Sequence, residues 1–301
     1  MRRLAAIAAA VAGALAVGLN VAGARAPQDP GAERALPPAS FAFAIGDGML
    51  AGGSAEVSDR LGEFDLVVID GELARAGEVA ALRGRGATVL AYLSVGTIER
   101  WRSWFRELKR FRLEAWRDWE DEWFADASRA AYRRKIIREI APEILAKGFD
   151  GLFLDNVDMI EAGRHRRQRP GMRRLVLALS RLARADGGML FAQNGRRGLG
   201  KLGLLDALDG WNREDVTWTY DFEKRRYVRN KGRDRRAALR ELRELGDRGL
   251  IVTATDYTRR GDRKALSESV ANACAAGALP YVSDIGLTAR RLPAPPLTCP
   301  P

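Results

Sequence analysis

The sequence predicts an α/β fold, a (β/α)8 TIM barrel, and three observations carry that prediction. Eight short apolar runs recur along 301 residues that are 47% hydrophobic, enough apolar material for one large core. These runs are continuous rather than alternating, as strands of a parallel sheet covered on both faces require. Helix-like stretches separate them, the alternation expected of a parallel barrel. A doubly wound open sheet would alternate in the same way, but the glycine-rich dinucleotide turn is missing. Gly46-Asp47-Gly48 is too weak a signal to supply it.

In chain order, Arg2 and Arg3 precede an Ala/Val/Leu-rich run that ends in Ala22-Gly23-Ala24 or Ala24-Arg25-Ala26. A basic start, an apolar stretch and a small-residue cleavage site make residues 1–26 a secretory signal peptide. An uncleaved anchor is the competing reading, since Leu4 to Ala24 is nearly long enough to span a bilayer. No later stretch is, so no membrane span is expected after cleavage. Residues 27–40 form a Pro-rich leader. The barrel occupies 41–290, and 291–301 is a Pro-rich C-terminal tail.

The eight strands are "FAFAI" (41–45), "FDLVVID" (64–70), "ATVLAYLSV" (87–95), "FDGLFLD" (149–155), "GMLFAQN" (188–194), "LDGWNRE" (208–214), "GLIVTATD" (249–256) and "LPYVSD" (279–284). Helical patterns lie between them at Ala130 to Lys147, Arg173 to Arg184, Arg235 to Arg248 and Arg263 to Ala276. The longest insertion follows the third strand, from Gly96 to about Ser128, and holds five of the seven tryptophans. Trp101, Trp104, Phe105 and Leu108 share helical spacing, which suits an amphipathic helix. Alternatively, Trp116, Trp119 or Trp123 forms a stacking platform at the barrel mouth.

Charge and cysteine content narrow the classes further. The net charge is +11, and it falls to +9 when cleavage after Ala24 removes Arg2 and Arg3. A basic exterior suits an anionic neighbour such as the cell envelope. The Arg-rich loops at 163–174 and 223–236 carry too few aromatics for nucleic-acid stacking, so no specific nucleic acid is expected. Cys274 and Cys299 either pair, as an exported protein allows, or remain a buried and a free thiol.

The chemistry sits at the strand ends. Asp47 follows the first strand, Asp70 and Glu72 the second, Ser94 and Glu99 the third. Asp155 and Asp158 follow the fourth, Asn194 the fifth, Glu214 and Asp215 the sixth, Asp256 and Tyr257 the seventh, and Asp284 the eighth. In a parallel barrel all these ends converge on one mouth, where active sites are built. Acids also cap the helices that follow strands, which could account for Asp47, Asp284 and Asp158, but Glu is not a favoured cap. With His165 the only histidine, a catalytic triad or a His-based metal centre is excluded. Paired carboxylates remain, the equipment of glycoside hydrolysis, with a carboxylate-only Ca²⁺ or Mg²⁺ site as the other possibility. No metal or other cofactor is assigned.

Four stretches, "VLAYLSVGTIE" (89–99), "KGFDGLFLDNVD" (147–158), "AQNG" (192–195) and "WNREDV" (211–216), resemble the endo-α-1,4-polygalactosaminidase family, glycoside hydrolase family 114. They are similar as well to the hydrolase domain of proteins that process the Pel exopolysaccharide. The resemblance covers roughly residues 41 to 285 and implies a (β/α)8 barrel. It also implies an exported endo-glycosidase acting on α-linked galactosamine-containing or related polysaccharide. Its catalytic carboxylates fall on Asp155 and Glu214, and "WEDEWFAD" (119–126) matches at Trp123 and Asp126. The substrate-binding set then comprises Asp70, Tyr92, Ser94, Glu99, Trp123, Asp158, Asn194, Trp211, Asp256, Tyr257 and Asp284. Thr97 stands where the family commonly has an acid. A non-catalytic glycan- or polyanion-binding barrel of the cell envelope is the alternative. The separation of the two carboxyl groups discriminates between them. Glu214, next to Trp211 and Trp218 in sequence, is expected to be the drier acid. Asp155 is expected to stay ionised beside Asp158, Asp70 and Asp256, with Asn194 as its donor.

Overall fold

The computed structural model describes residues 37–46, 59–288 and 292–300. The signal peptide, most of the leader and Asp47 lie outside the described residues. Among the described residues no helix is long and apolar enough to cross a membrane.

Eight parallel strands form one sheet in chain order: β1 (Phe41–Ala44), β2 (Leu66–Asp70), β3 (Thr88–Ser94), β4 (Gly151–Asp155), β5 (Met189–Gln193), β6 (Gly210–Glu214), β7 (Ile251–Tyr257) and β8 (Leu279–Ser283). Each falls within one of the eight apolar runs except β7, which runs one residue further, to Tyr257. The sheet is a nearly closed barrel; Phe41 of β1 meets Tyr281 of β8 edge-on at 5.8 Å across the seam. Helices follow where the sequence places them, at Ala130–Lys135 through Ala141–Leu145, Arg169–Ala185, Gly232–Asp247 and Arg263–Ala275.

Strand parity decides what faces the barrel axis, because successive side chains point to opposite faces. Phe43 packs on Phe153 at 4.9 Å and on Tyr92 at 6.1 Å, and Phe153 stacks on Phe191 at 6.5 Å. These rings plug the interior. One pleat further along β4, in step with Phe153, stands Asp155; in step with Phe191 stands Gln193. The apolar run of β4 therefore breaks at Asp155 because the strand emerges there above its own core.

Two regions lie outside the alternation of strands and helices. The insertion after β3 is mainly a three-stranded antiparallel sheet of Thr97–Glu99, Arg112–Ala115 and Glu122–Ala125. Its helix is confined to Phe105–Leu108. The apolar spacing of Trp101, Trp104, Phe105 and Leu108 is spent on one short turn, and Trp101 stays exposed. The Pro-rich tail is stitched to the barrel rather than separate from it. Ser40 bridges to Thr298, Leu292 is buried, and a disulfide joins Cys274 to Cys299 with the Cα atoms 5.3 Å apart.

Candidate active site

Asp155 and Glu214 meet at the mouth of the barrel, and the group between them is Gln193. Its Nε2 donates to Asp155 Oδ1 at 3.0 Å and to Glu214 Oε2 at 2.8 Å. Those two oxygens are at most 5.8 Å apart, the sum of 3.0 and 2.8 Å. With a planar amide's two N–H bonds spread by about 120°, the separation is about 5 Å. Asn212 Nδ2 holds the Gln193 carbonyl at 3.1 Å, and Asn212 in turn accepts from Thr253 and Thr255 at 2.7 and 3.1 Å. This polar ladder fixes the amide so that its N–H groups, and not its oxygen, face the carboxylates.

Each acid has further donors of its own. Tyr92 Oη donates to Asp155 Oδ2 at 2.6 Å, and the Asn156 backbone N–H donates to Oδ1 at 2.6 Å. Asn156 turns into the left-handed region, φ 59°, with Gly96 against its carbonyl. A Cβ at Gly96 would lie 1.8 Å from Asn156 O, so only glycine lets the two loops close together. Glu214 accepts from Asn194 Nδ2 at 2.8 Å and from the Tyr257 hydroxyl.

Burial pushes the Glu214 carboxyl up to about 8, reinforced by the negative charges of Asp155 and Asp215 and opposed by its Tyr257 and Asn194 donors. Burial also raises Asp155, while Tyr92, Asn156 and Gln193 favour its ionised form. A pair this close shares one proton near neutrality. Each acid has three donors, so the like charges decide: Asp155 and Asp215 beside Glu214 favour the proton there, leaving the charge on Asp155.

The other predicted residues divide by parity. Tyr92 and Tyr257 face inward onto the acids, and both phenols are raised well above their ordinary range, mainly by burial. Asp158 flanks the pair; burial, then Asp155 and Glu161, push it up to about 7. Ser94 sits behind Asp155 in a buried network with Thr97 and Asn156 at 2.6 and 3.0 Å.

The remaining expected residues have partners within the protein. Asn194 serves Glu214 rather than Asp155, because the donor in step with the inward face of β5 is Gln193. Trp211 has the outward parity of β6, is fully buried, and spends its indole N–H on Asn194 O at 2.6 Å. Asp256 has the outward parity of β7 and accepts from the Val216 and Thr217 backbones at 2.7 and 2.9 Å. Asp284 accepts the Thr288 hydroxyl at 2.7 Å within a turn. Trp123 lies under the Arg112 guanidinium, 4.4 Å from its ring centroid. Asp70 is clamped by Arg102 Nη1 at 2.7 and 2.8 Å, and Glu99 by Arg102 Nε at 2.6 Å. Glu214 is dried by depth and neighbouring acids, not by indoles, for Trp218 donates to Glu268 at 3.2 Å.

Sequence reasoning missed Gln193, Asn212, Arg102 and Glu122. The period-2 parity of β5 and β6 was the signal for the first two. Glu122 lies directly opposite Glu99 across the insert's ladder, and burial, then Glu99, push it up to about 8.

A family model described as "Glycoside-hydrolase family GH114" matches residues 23–292. An uncharacterized protein of Deinococcus radiodurans is 29% identical over 240 residues, 74% of each chain. Among solved structures, the glycoside hydrolase domain of PelA from Pseudomonas aeruginosa superposes with a TM-score of 0.71 at 24% identity, covering 83% of this chain and 96% of that one. Aspergillus fumigatus Ega3 in complex with galactosamine superposes with a TM-score of 0.65 at 16% identity, covering 83% and 92%.

Proposed function

Because the chain belongs to glycoside-hydrolase family GH114, we propose that it is an exported endo-glycosidase cleaving α-linked galactosamine-containing or related polysaccharide by a retaining mechanism. The observation that carries the mechanism is the amide of Gln193, which brings Asp155 and Glu214 within 5.8 Å of each other, the sum of its two bonds. Retaining pairs stand about 5–5.5 Å apart, whereas inverting pairs leave roughly 6.5–9.5 Å for a water. The same closeness speaks against a barrel that only binds glycan. The galactosamine bound to Ega3 motivates the substrate class. The signal-like residues 1–26 motivate export, and the basic exterior suits an anionic envelope surface.

In the first step the Asp155 carboxylate attacks the anomeric carbon, and Glu214 gives its proton to the departing glycosidic oxygen. That leaves a glycosyl ester on Asp155 and a free hydroxyl on the released chain. Glu214, now ionised, takes a proton from water as the water attacks the same carbon. The ester bond breaks, the anomeric configuration is restored, and Glu214 is protonated again. Tyr92 and Gln193 keep Asp155 charged, while the depth of Glu214 retains its proton at neutral pH.

Two measurements test this. Asp155→Asn and Glu214→Gln should each lower turnover of an α-linked galactosamine polymer about a thousandfold or more with the melting temperature nearly unchanged. Full activity in either variant sinks the assignment. The first product seen by NMR should be the α-anomer; a β-anomer would make Asp155 a base rather than a nucleophile.

A further inference from the structure

Two loops that start far apart on the barrel meet ring to ring. Trp119 lies in the turn of the insert after β3, between Arg112–Ala115 and Glu122–Ala125. Phe222 lies in the turn of an antiparallel hairpin after β6, Trp218–Asp221 with Arg226–Arg229. Their ring centroids are 5.4 Å apart at 65°. The row continues through Tyr220, 5.1 Å from Phe222, to Tyr227, 5.1 Å from Tyr220. It ends on the loop after β8, where the Ile285 N–H donates to Tyr227 Oη at 3.4 Å.

β3 and β6 are separated in the sheet by β4 and β5, which carry Asp155 and Gln193. The flank of the insert is already occupied by the loop after β4. His165 from that loop packs on Phe124 at 4.6 Å and bonds Glu114 at 2.7 Å. Both loops leave the carboxyl ends of their strands, so Trp119 and Phe222 meet on the mouth side of the barrel, across the arc that β4 and β5 span. Trp119 is 36% exposed and Phe222 half-buried, so the rings are not core. Each turn is held by its own antiparallel ladder and does not need the other in order to fold.

We propose that Trp119 and Phe222 form an aromatic clasp over the catalytic cleft that determines how a polysaccharide chain is handled. This rests on the glycosidase reading above and adds a specificity that reading lacks. A long chain cannot be laid sideways into a cleft bridged in this way; it threads beneath the clasp and stays there after a cut. The half-exposed rings offer apolar faces against which the C–H faces of sugar rings pack. Short glycosides pass beneath the clasp freely. The protein should then cut one chain several times per encounter, giving short products while most of the polymer remains long.

The test compares polymer length with new reducing ends on an α-linked galactosamine polymer, using 4-nitrophenyl α-galactosaminide as the short substrate. In W119A and F222A, mean polymer length should fall at least threefold further per reducing end formed than in the unaltered protein. The kcat/KM for the short substrate should change less than twofold. W119F should retain the unaltered product pattern. An unchanged ratio in both alanine variants overturns the clasp, as does a loss of short-substrate activity equal to that on polymer. A separate arm needs no substrate: W119C/F222C should cross-link with a short bismaleimide, seen as a mobility shift on a gel. Failure to cross-link overturns the clasp. A cross-linking variant beside an unaltered protein inactive on both substrates sinks the glycosidase reading instead.

Discussion

Replacing Glu122 by glutamine tests the electrostatics of the mouth without touching the reacting pair. Glu122 and Glu99 face each other directly across the insert's ladder, both buried, an arrangement that is unfavourable when both are charged. Arg102 neutralises Glu99, and Glu122 is left to accept the Thr97 hydroxyl. Burial first, and Glu99 second, move its carboxyl from 4.5 up to about 8. Because the folded-state pKa lies above the unfolded one, its contribution to stability is fully present below about 4.5. That contribution is lost as the pH rises through about 8. At about 1.4 kcal/mol per pH unit the whole interval amounts to about 5 kcal/mol. Relaxation and water entry around a buried carboxylate reduce this to about 2–3 kcal/mol. A glutamine keeps the acceptor for Thr97 and cannot ionise. Glu122→Gln should therefore melt close to the unaltered protein at pH 4.5 and about 4–12 °C above it at pH 8.5, at about 2–4 °C per kcal/mol. Calorimetry across that range measures it. A difference between the two proteins that does not grow with pH would refute the reasoning.

Three further outcomes follow from the same contacts. Tyr257→Phe removes a donor that holds Glu214 down, so the basic limb of the kcat/KM profile should move upward by about 0.5–1 pH unit; a downward move contradicts the assignment of Glu214 as the acid. Gln193→Leu deletes the amide shared by the two acids and should lower kcat/KM about 10–100-fold, a bond to a charged group being worth about 1.5–3 kcal/mol. The acidic limb should rise with it, and a variant of normal activity and profile would remove Gln193 from the mechanism. Cys274→Ser opens a bridge between residues 25 apart. That should cost about 3.5 kcal/mol and lower the melting temperature by about 7 °C or more, with kcat unchanged because the helix carrying Cys274 ends on the face away from the mouth.

The strands were legible in the sequence because a sheet buried on both faces demands short unbroken apolar runs, each followed by a stretch of another character. Asp155 and Glu214 were legible for the complementary reason. A charged group ending such a run must leave the core, and parallel strands all leave it at one rim. Trp211 and Asp256 lie on the same strands as Glu214 and Tyr257, yet each sits one residue out of step with the inward face. Strand ends were counted without parity, and Gln193 was passed over for Asn194.

The sequence by itself determined the barrel, its strand order and the acid-rich mouth, since those follow from local hydrophobicity and the geometry of parallel strands; the family resemblance singled out Asp155 and Glu214 among the acids there. Only the tertiary structure decided that Cys274 and Cys299 pair, that Arg102 ties Asp70 to Glu99, that Glu122 lies against Glu99, and that Trp119 touches Phe222. Each of these joins residues tens of positions apart through side-chain direction and loop path. No local pattern encodes such contacts, because they depend on how separate elements are packed around a common core.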